Sequence, residues 1–311
     1  MQILDESQVL ASEIDSLGHM NVRFYLSRVD RANNVLLDKL GVTPAPGGAT
    51  VRRHDTYSRF RREQFAGATL HVAGGLLESD DALVRCYFEI RNPAKNEIAA
   101  TFIVRSGLVD PTSQQALALP PQLNPFNEQY GTRLPEHGMP RSLSLDPPRM
   151  DVSLEELTRR VSQNPTPGMM SGRRESVVDA EDCDANGFLK EDVDLMFAMH
   201  KPQPGQQSAS FGPPVMRTAN GHRFSWAMIE TRAIVLGRPR AGDRIVSLGA
   251  DVALGERWRQ SRRWAFVAET GRLVGINDVI GMALDLDERR SITIPDDLRA
   301  SIERDYLPDL I

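Results

Sequence analysis

The 311-residue sequence lacks several features that would assign it quickly to a class of proteins. Its two cysteines, Cys86 and Cys183, are far apart, which excludes a cysteine-based zinc site or a disulfide framework and suits a reducing cytoplasm. No apolar run approaches the roughly 18–20 residues that a membrane-spanning helix needs. The segment Met1–Leu10 is acidic and has no apolar core, unlike a secretory signal. We therefore expect a cytoplasmic protein that is not inserted in a membrane.

The patterns of nucleotide and nucleic-acid binding are missing as well. The formal net charge of −5 argues against a general nucleic-acid binder, which usually carries a basic excess. The pairs Gly47–Gly48 and Gly74–Gly75 precede no helix that would receive a phosphate, and there is no Gly-x-Ser-x-Gly elbow. His54, His71 and His137 show no metal-ligand spacing. The sequence thus implies neither a metal ion nor an organic cofactor.

What the sequence does contain is an internal repeat. The segment Asp15–Asn21 (DSLGHMN) has a counterpart 169 residues later in Asp184–Lys190 (DANGFLK). Each segment opens a stretch of apolar residues at helical spacing, with Val22, Leu26, Val29, Leu36 and Leu40 before Gly41 in the first copy and Leu189, Val193, Met196 and His200 before Pro202 in the second. Farther along, Ala66–Leu70 matches Ala241–Ile245, and this offset of 175 residues holds without a gap to Asp110 and Asp285.

Each copy consists of one long helix followed by about four strands with alternating apolar residues. The alternation is clearest in the first copy, with Val84, Cys86, Phe88 and Ile90 on one face and Arg85, Tyr87, Glu89 and Arg91 on the other. This pattern predicts an α+β fold in which a helix lies on an antiparallel sheet. A proline-rich stretch separates the copies, with a short helix expected near Leu154–Val161, and a further helix is expected at Pro295–Tyr306.

The first motif allows the repeat to be related to a known family. The pattern Asp15-x-x-Gly18-His19-Met20-Asn21-x-x-x-Tyr25 resembles the helix-opening motif of hotdog-fold thioesterases of the acyl-CoA and acyl-ACP type. The following Tyr57-x-Arg59 and Ala66–Gly67 are similar to the second strand and turn of that family. The resemblance covers roughly residues 10–110, and more faintly residues 173–285.

The resemblance implies a tandem architecture. It predicts two hotdog domains, each an antiparallel sheet wrapped around one long helix, which together form an intrachain pseudo-dimer. The expected boundaries are residues 1–112 for the first hotdog domain, 113–167 for a proline-rich linker, 168–290 for the second hotdog domain and 291–311 for a helical tail. Plant-type acyl-ACP thioesterases resemble this arrangement but carry their catalytic motif in the second hotdog domain, whereas here the intact motif is in the first.

Hydrolysis of an acyl thioester needs a carboxylate and donors for the developing oxyanion. Asp15 is the candidate general base or nucleophile, and His19 and Asn21 are candidates for orienting it, the water or the carbonyl oxygen. The backbone N–H groups near Gly18 to Met20, at the start of a helix, are candidates for an oxyanion hole. An aspartate followed by glycine at a helix start is also commonly only an N-cap with a turn. Candidates for substrate binding are Tyr25, Tyr57, Arg59 and Arg61, for which packing on the helix or a solvated strand face is the alternative.

The second copy keeps Asp184 and Gly187 but has Phe188 and Lys190 in place of the polar pair, so we expect one working site. The expected substrate is a thioester of coenzyme A or of acyl carrier protein, and whether the pseudo-dimer associates further into a homodimer is left open. Two alternatives stay open. One is a hotdog hydratase or dehydratase, although its Gly-Asp-x-Asn-Pro-x-His type signature is missing, and the other is a non-catalytic acyl-CoA-binding protein.

Overall fold

The computed structural model describes residues 1–42, 48–120, 129–161, 171–191, 193, 195, 215–217 and 221–311. Over these residues the chain divides into two compact units, one ending at Arg141 and the other beginning at Ser142. The proline-rich segment between the copies is therefore shared between the units. No helix in the described part of the chain is both long and apolar enough to cross a membrane.

The first unit is one long helix packed on a five-stranded antiparallel sheet whose strand order is β1-β3-β4-β5-β2. Its elements are β1 (Gln2–Gln8), α1 (Val22–Lys39), β2 (Thr50–Phe60), β3 (Thr69–Ser79), β4 (Leu83–Asn92), β5 (Glu97–Val109) and the short strand β6 (Ala116–Leu117), which pairs with β5. The helix predicted from the spacing of Val22 to Leu40 is confirmed.

Helix α1 owes its bounds and its position to residues that the sequence pattern identifies. Asn21 is its N-cap, and its side-chain oxygen accepts the Arg23 N–H. Beyond the helix, Gly41 adopts a φ of 72°, a left-handed conformation that favours glycine and ends the helix. The buried face includes Val29 and Leu36, and burying each such side chain stabilises the fold by about 1.5–3 kcal/mol.

The two faces of the sheet in the first unit differ in what covers them. Val84, Cys86, Phe88 and Ile90 belong to the core cluster under α1, as the alternation predicts. The segment after Tyr130 first runs along the edge of β3, where Thr132 N–H donates to the Leu76 carbonyl at 2.8 Å, and then crosses the opposite face at Gly138. At Gly138 an added Cβ would lie 2.6 Å from the Tyr87 ring, so a residue without a side chain is needed for this contact. Part of the proline-rich segment therefore covers the outer face.

The second unit repeats the sheet in the order β9-β12-β11-β10-β7. Its elements are α2 (Leu154–Arg160), β7 (Gly172–Val177), β8 (Met216–Arg217), β9 (Arg223–Val235), β10 (Arg244–Leu254), β11 (Trp258–Val267), β12 (Arg272–Asp285), β13 (Arg290–Ser291) and α3 (Asp296–Arg304). Helices α2 and α3 lie where the sequence predicts helices. Most of the helix predicted after Leu189, including Met196 and His200, lies outside the described residues.

Strand register supports the internal duplication more strongly than the motif alone. Val72 pairs with Ile90 in the first unit, and Ser247 pairs with Ala265, 175 residues farther along each strand, in the second. The irregularities recur at the same offset: the β3–β4 pair shifts register between Leu76 and Glu78, and the β10–β11 pair shifts between Asp251 and Ala253. β-Bulges are retained as built features of a sheet, so their recurrence indicates one ancestral unit.

The duplicated sheets differ in the chemistry of one face. At the offset of 175, the core residues Val72, Phe88 and Phe102 correspond to Ser247, Arg263 and Asn277, all buried. In place of apolar contacts, Arg263 donates to Ser247 Oγ at 2.5 Å, and Thr231 Oγ1 donates to the Asn277 side chain at 3.2 Å. This face is therefore apolar in the core of the first unit, whereas in the second unit a polar patch lies beside the apolar cluster that contains Ile245, Ala265 and Val267.

Candidate active site

The loop that carries Asp15 is a tight turn closed by backbone hydrogen bonds. Asp15 N–H donates to the His19 carbonyl at 2.9 Å, and Asn21 N–H donates to the Glu13 carbonyl at 2.9 Å. Between them, Gly18 adopts a φ of 84°, which only glycine reaches without strain. The motif therefore folds as a small hairpin that delivers the chain into α1.

The Asp15 carboxylate is buried and held from two sides. Its side chain is 2% exposed. Oδ1 accepts the Leu17 N–H at 2.9 Å, and Oδ2 accepts the Asn21 Nδ2–H at 3.2 Å. Since Asn21 also caps α1 through its Oδ1, one side chain both starts the helix and orients the carboxylate. The sequence-predicted residues Asp15 and Asn21 are in direct contact.

The backbone donors of the turn differ from those expected. Gly18 N–H donates to the Asp15 carbonyl at 3.0 Å, and Met20 N–H donates to the Gln64 carbonyl at 2.7 Å. Within the Gly18–Met20 stretch predicted to form the oxyanion hole, the N–H groups of Gly18 and Met20 are therefore already hydrogen-bonded. Among the hydrogen bonds of the described residues, the His19 N–H has no acceptor. It lies just before the N-terminus of α1, where the helix dipole favours negative charge.

The His19 ring lies between two carboxylates. Nδ1 is 3.3 Å from the Met20 carbonyl oxygen and 3.9 Å from Asp15 Oδ1. Nε2 is 3.5 Å from Glu63 Oε1, and the Glu63 side chain is 36% exposed against 17% for His19. Glu63 lies in the turn between β2 and β3, and no spacing or motif in the sequence marked it as part of the site.

The residues expected to bind substrate have other partners. The Tyr25 hydroxyl donates to the Arg62 carbonyl at 3.1 Å, and burial raises its pKa well above the ordinary value of 10.0. Its ring meets Phe60 edge-on at 5.5 Å, so Tyr25 is a core residue. Tyr57, on β2, is 1% exposed.

The two arginines hold a surface segment in place. Arg59 Nη1 donates to the Met139 carbonyl at 3.4 Å, and Arg61 Nη1 donates to the His137 carbonyl at 3.0 Å. Their guanidinium groups thus secure the 3₁₀ segment Glu136–Gly138. Tyr25, Arg59 and Arg61 thus each use one polar atom on a carbonyl of their own chain, and their role in binding substrate stays a prediction.

A buried ion pair holds in place the part of the loop that precedes Asp15 in the sequence. Arg28, on α1, donates to both carboxylate oxygens of Glu13, at 3.2 and 2.7 Å. The side chains are 2% and 12% exposed. Because the Glu13 carbonyl accepts the Asn21 N–H, the pair is connected to the motif by one hydrogen bond. Helix α1 thus anchors the loop that precedes its own start.

The second motif folds into the same turn, but its carboxylate accepts the backbone N–H groups of the turn itself. Asp184 Oδ1 accepts the Asn186 N–H at 2.8 Å and the Phe188 N–H at 3.1 Å. The amide that corresponds to the unpaired His19 N–H is therefore satisfied within the turn. The Arg240 guanidinium stacks on the Phe188 ring at 4.1 Å. Burial, followed by the charge of Asp184, raises the pKa of the Cys183 thiol, which disfavours a thiolate.

No group of three or more His, Cys, Asp and Glu side chains in the described parts of the chain is arranged to hold a metal ion.

Comparison with known proteins gives a match to a family model and a likeness in fold to solved structures. Residues 9–126 match the family model described as the thioesterase-like superfamily. No curated protein in the comparison matches the chain.

Solved structures resemble nearly the whole chain at low identity. A putative oleoyl thioesterase from Lactobacillus plantarum is 11% identical over 90% of this chain and 95% of its own, with a TM-score of 0.57. The 12:0-ACP thioesterase from Umbellularia californica is 10% identical over 90% and 93%, with a TM-score of 0.60. An acyl-ACP thioesterase from Bacteroides thetaiotaomicron VPI-5482 is 10% identical over 89% and 96%, with a TM-score of 0.57. These likenesses show the hotdog fold.

Proposed function

Since residues 9–126 match the family model of the thioesterase-like superfamily, we propose that the chain hydrolyses acyl thioesters at the Asp15 site. The observation that carries the proposal is the unpaired His19 N–H in the same turn as an oriented carboxylate. The thioester carbonyl oxygen accepts the His19 N–H, and the helix dipole of α1 adds to the stabilisation of the oxyanion. Removing one such donor typically lowers turnover by about 10²–10³-fold.

Asp15 supplies the carboxylate chemistry of the proposed reaction. An ionised carboxylate offers about four lone-pair positions, and Leu17 N–H and Asn21 Nδ2–H occupy only part of them. The remaining positions are available to attack the carbonyl carbon or to accept a proton from water. The thiolate is the leaving group in either case. Asn21 is the positioning residue for this carboxylate, and Gly18 permits the turn that carries it.

The second motif is inactive in this proposal. Its carboxylate accepts the Phe188 N–H, so an incoming carbonyl oxygen finds no free donor at that position. Both units are proposed to be hotdog domains in tandem, supported by the shared register and bulge positions of their sheets. The acyl chain is assigned to the first unit, because the positions of Phe88 and Phe102 in its apolar core are held by the polar Arg263 and Asn277 in the second unit.

The substrate is proposed to be a thioester of coenzyme A or of acyl carrier protein. Two of the structurally similar proteins are named as ACP thioesterases, and the third as a putative oleoyl thioesterase. The competing function is binding of acyl-CoA without catalysis. A hotdog hydratase is a second competitor, and it would leave the thioester intact.

Release of free thiol distinguishes these functions. Wild-type protein and Asp15→Ala are compared on short, long and aromatic acyl-CoAs and on matching acyl carrier proteins. Turnover that falls on the order of 10²-fold or more in the folded variant supports the proposal. Binding of acyl-CoA without release of thiol from any substrate would favour the non-catalytic function, and turnover unchanged by the substitution would refute the site.

A further inference from the structure

Two buried side chains of β2 carry hydroxyl groups that have no partner of their own. Ser58 is 0% exposed, and Thr56 is 3% exposed. Within the described part of the chain, neither Ser58 Oγ nor Thr56 Oγ1 has a hydrogen-bond partner. Burying a hydroxyl group without a hydrogen bond is unfavourable, and folded proteins do so rarely. We propose that these hydroxyls recognise a hydroxyl group on the acyl chain of the substrate, an assignment that rests on the proposed function of the Asp15 site.

Both hydroxyl groups lie on the same side of the sheet as α1. Ser58 pairs with Phe102 on β5, and Thr56 pairs with Val104. Directly opposed residues of neighbouring strands point to the same face of a sheet. Since Phe102 and Val104 belong to the core cluster of the first unit, Ser58 and Thr56 face that core and not the outer face.

The end of β2 that carries Ser58 lies against the start of α1. Phe60 meets the Tyr25 ring edge-on at 5.5 Å, and Tyr25 lies one helical turn beyond the catalytic turn, Asp15–Asn21. At about 3.3 Å per residue along a strand, Ser58 lies roughly 7 Å and Thr56 roughly 13 Å from Phe60. An acyl chain that extends from the catalytic turn along β2 therefore meets Ser58 first and Thr56 next.

Helix α1 leaves this part of the sheet to other groups. It packs chiefly on β1 and β3, whereas β2 is at the opposite end of the strand order. Neighbouring strands are about 4.8 Å apart, which places β2 roughly 14 Å from β3, and a helix with its side chains is only about 10–12 Å wide. Longer side chains connect β2 to α1 on either side of the two hydroxyls, Phe60 to Tyr25 and Arg53 to Asp30. The acyl chain is thus assigned to the side of α1, along β2.

A third polar atom indicates that the recognised group is a hydroxyl and not a carbonyl. The buried Asn33 on α1 donates its Nδ2–H to Ser106 Oγ at 3.2 Å, but its Oδ1 has no partner among the described residues. Ser106 is two residues beyond Val104, the strand partner of Thr56, and so lies on the same face. An amide oxygen can only accept, whereas Ser and Thr hydroxyls donate and accept. A ligand hydroxyl group satisfies all of these atoms, and a carbonyl group does not.

The test compares substrates that differ only by a hydroxyl group. Thiol release is measured for acyl-CoAs of one chain length, either unsubstituted or hydroxylated at successive carbons, with wild type, Ser58→Ala and Thr56→Val. We expect wild type to have its highest kcat/KM on a hydroxylated substrate. Each variant should lower that kcat/KM by roughly 10-fold, as the loss of a neutral hydrogen bond does. On the unsubstituted substrate the variants should match or exceed wild type, because no polar atom is then left unpaired.

Thr101→Val is the matched control. Thr101 is also fully buried, and its Oγ1 likewise lacks a partner in the described residues, but it pairs with Glu89 on the outer face. This variant should leave the ratio of the two kcat/KM values unchanged. All three substitutions remove a hydroxyl group that makes no hydrogen bond within the described chain, so each variant should fold with a Tm close to that of wild type.

Two results would overturn the proposal. One is a wild-type protein that prefers no hydroxylated substrate, and the other is a preference that Ser58→Ala and Thr56→Val leave intact or that Thr101→Val removes equally. Calorimetry with non-hydrolysable amide analogues of the same acyl-CoAs separates this proposal from the proposed function. A protein that releases no thiol refutes hydrolysis, whereas tighter binding of the hydroxylated analogue, lost in Ser58→Ala, still supports recognition of the hydroxyl group.

Discussion

Replacing Arg28 by methionine should destabilise the first unit far more than a typical surface substitution. The guanidinium is 2% exposed and donates to Glu13, Ser7, Phe24 and Gln8. Methionine fills much of the same volume but leaves the Glu13 carboxylate buried without its cation. Breaking a buried ion pair in this way costs about 3–5 kcal/mol, a large share of the roughly 5–15 kcal/mol that stabilises a domain.

The assay should follow the first unit specifically. All three tryptophans, Trp226, Trp258 and Trp264, belong to the second unit, so their fluorescence does not report on Arg28. Denaturant titration followed by far-UV circular dichroism, together with amide exchange in peptides from α1, reports on it directly. Thermal unfolding of the same variant gives a second readout, because for a unit of this size about 2–4 °C per kcal/mol predicts a Tm lower by about 6–20 °C.

The matched control is Arg31→Met, one turn farther along α1. Arg31 makes a two-point contact with Asp5, at 3.0 Å from Nε and 3.0 Å from Nη2, but its side chain is 50% exposed. An exposed pair contributes roughly 0–1 kcal/mol, so this variant should stay close to wild type. Combining Arg28→Met with Glu13→Leu removes both charges and should recover much of the loss. The reasoning is refuted if Arg28→Met and Arg31→Met are equally mild, or if the double variant is as unstable as Arg28→Met alone.

Further predictions concern the catalytic turn and the outer sheet face. Asn21→Asp keeps the helix cap but loses the hydrogen-bond donor to Asp15. Because a hydrogen bond to a charged group contributes about 1.5–3 kcal/mol, we expect a roughly 10- to 100-fold lower kcat. Unchanged kcat would contradict this role of Asn21. Gly18→Ala should lower the free energy of unfolding by about 1–2 kcal/mol through backbone strain alone, since its Cβ would meet nothing within 4 Å. Gly18→Asn should lose less free energy of unfolding in the same denaturant titration. Burial tends to raise the pKa of Glu89, but hydrogen bonds from His137 and Tyr87 outweigh it and lower the pKa below 4.5. The stability that the ionised Glu89 contributes is present above pH 4.5 and lost as the pH falls through the folded-state pKa. Glu89→Gln should therefore weaken the dependence of the free energy of unfolding on pH at acid pH. An unchanged pH dependence would contradict this role of Glu89.

The sequence predicts the fold of each unit because hydrophobic period is a local property. The spacing of Val29 and Leu36 identifies the buried face of α1, and the alternation around Phe88 identifies the sheet face beneath it. The repeat offset likewise predicts which strands correspond. It does not predict that Arg263 occupies the position of Phe88, because a buried polar network depends on partners from other strands.

The site is predicted less completely, for a related reason. Asp15 and Asn21 contact each other because they lie in one turn, so their spacing is informative. Which N–H groups stay unpaired depends on the loop after β2, whose Gln64 carbonyl takes the Met20 N–H. The same packing brings Glu63 to His19 from 44 positions along the chain, and no local pattern encodes it. Tertiary contacts between loops therefore account for the site contacts that the sequence does not predict.

The central claim is that thioester hydrolysis takes place at the first motif and not at the second. The most direct test compares thiol release by Asp15→Asn and Asp184→Asn, which make the same isosteric change in the two copies of one motif. We expect Asp15→Asn to lose about 10²-fold or more in turnover, while Asp184→Asn turns over like wild type. Loss of activity in Asp184→Asn with Asp15→Asn unaffected would contradict it.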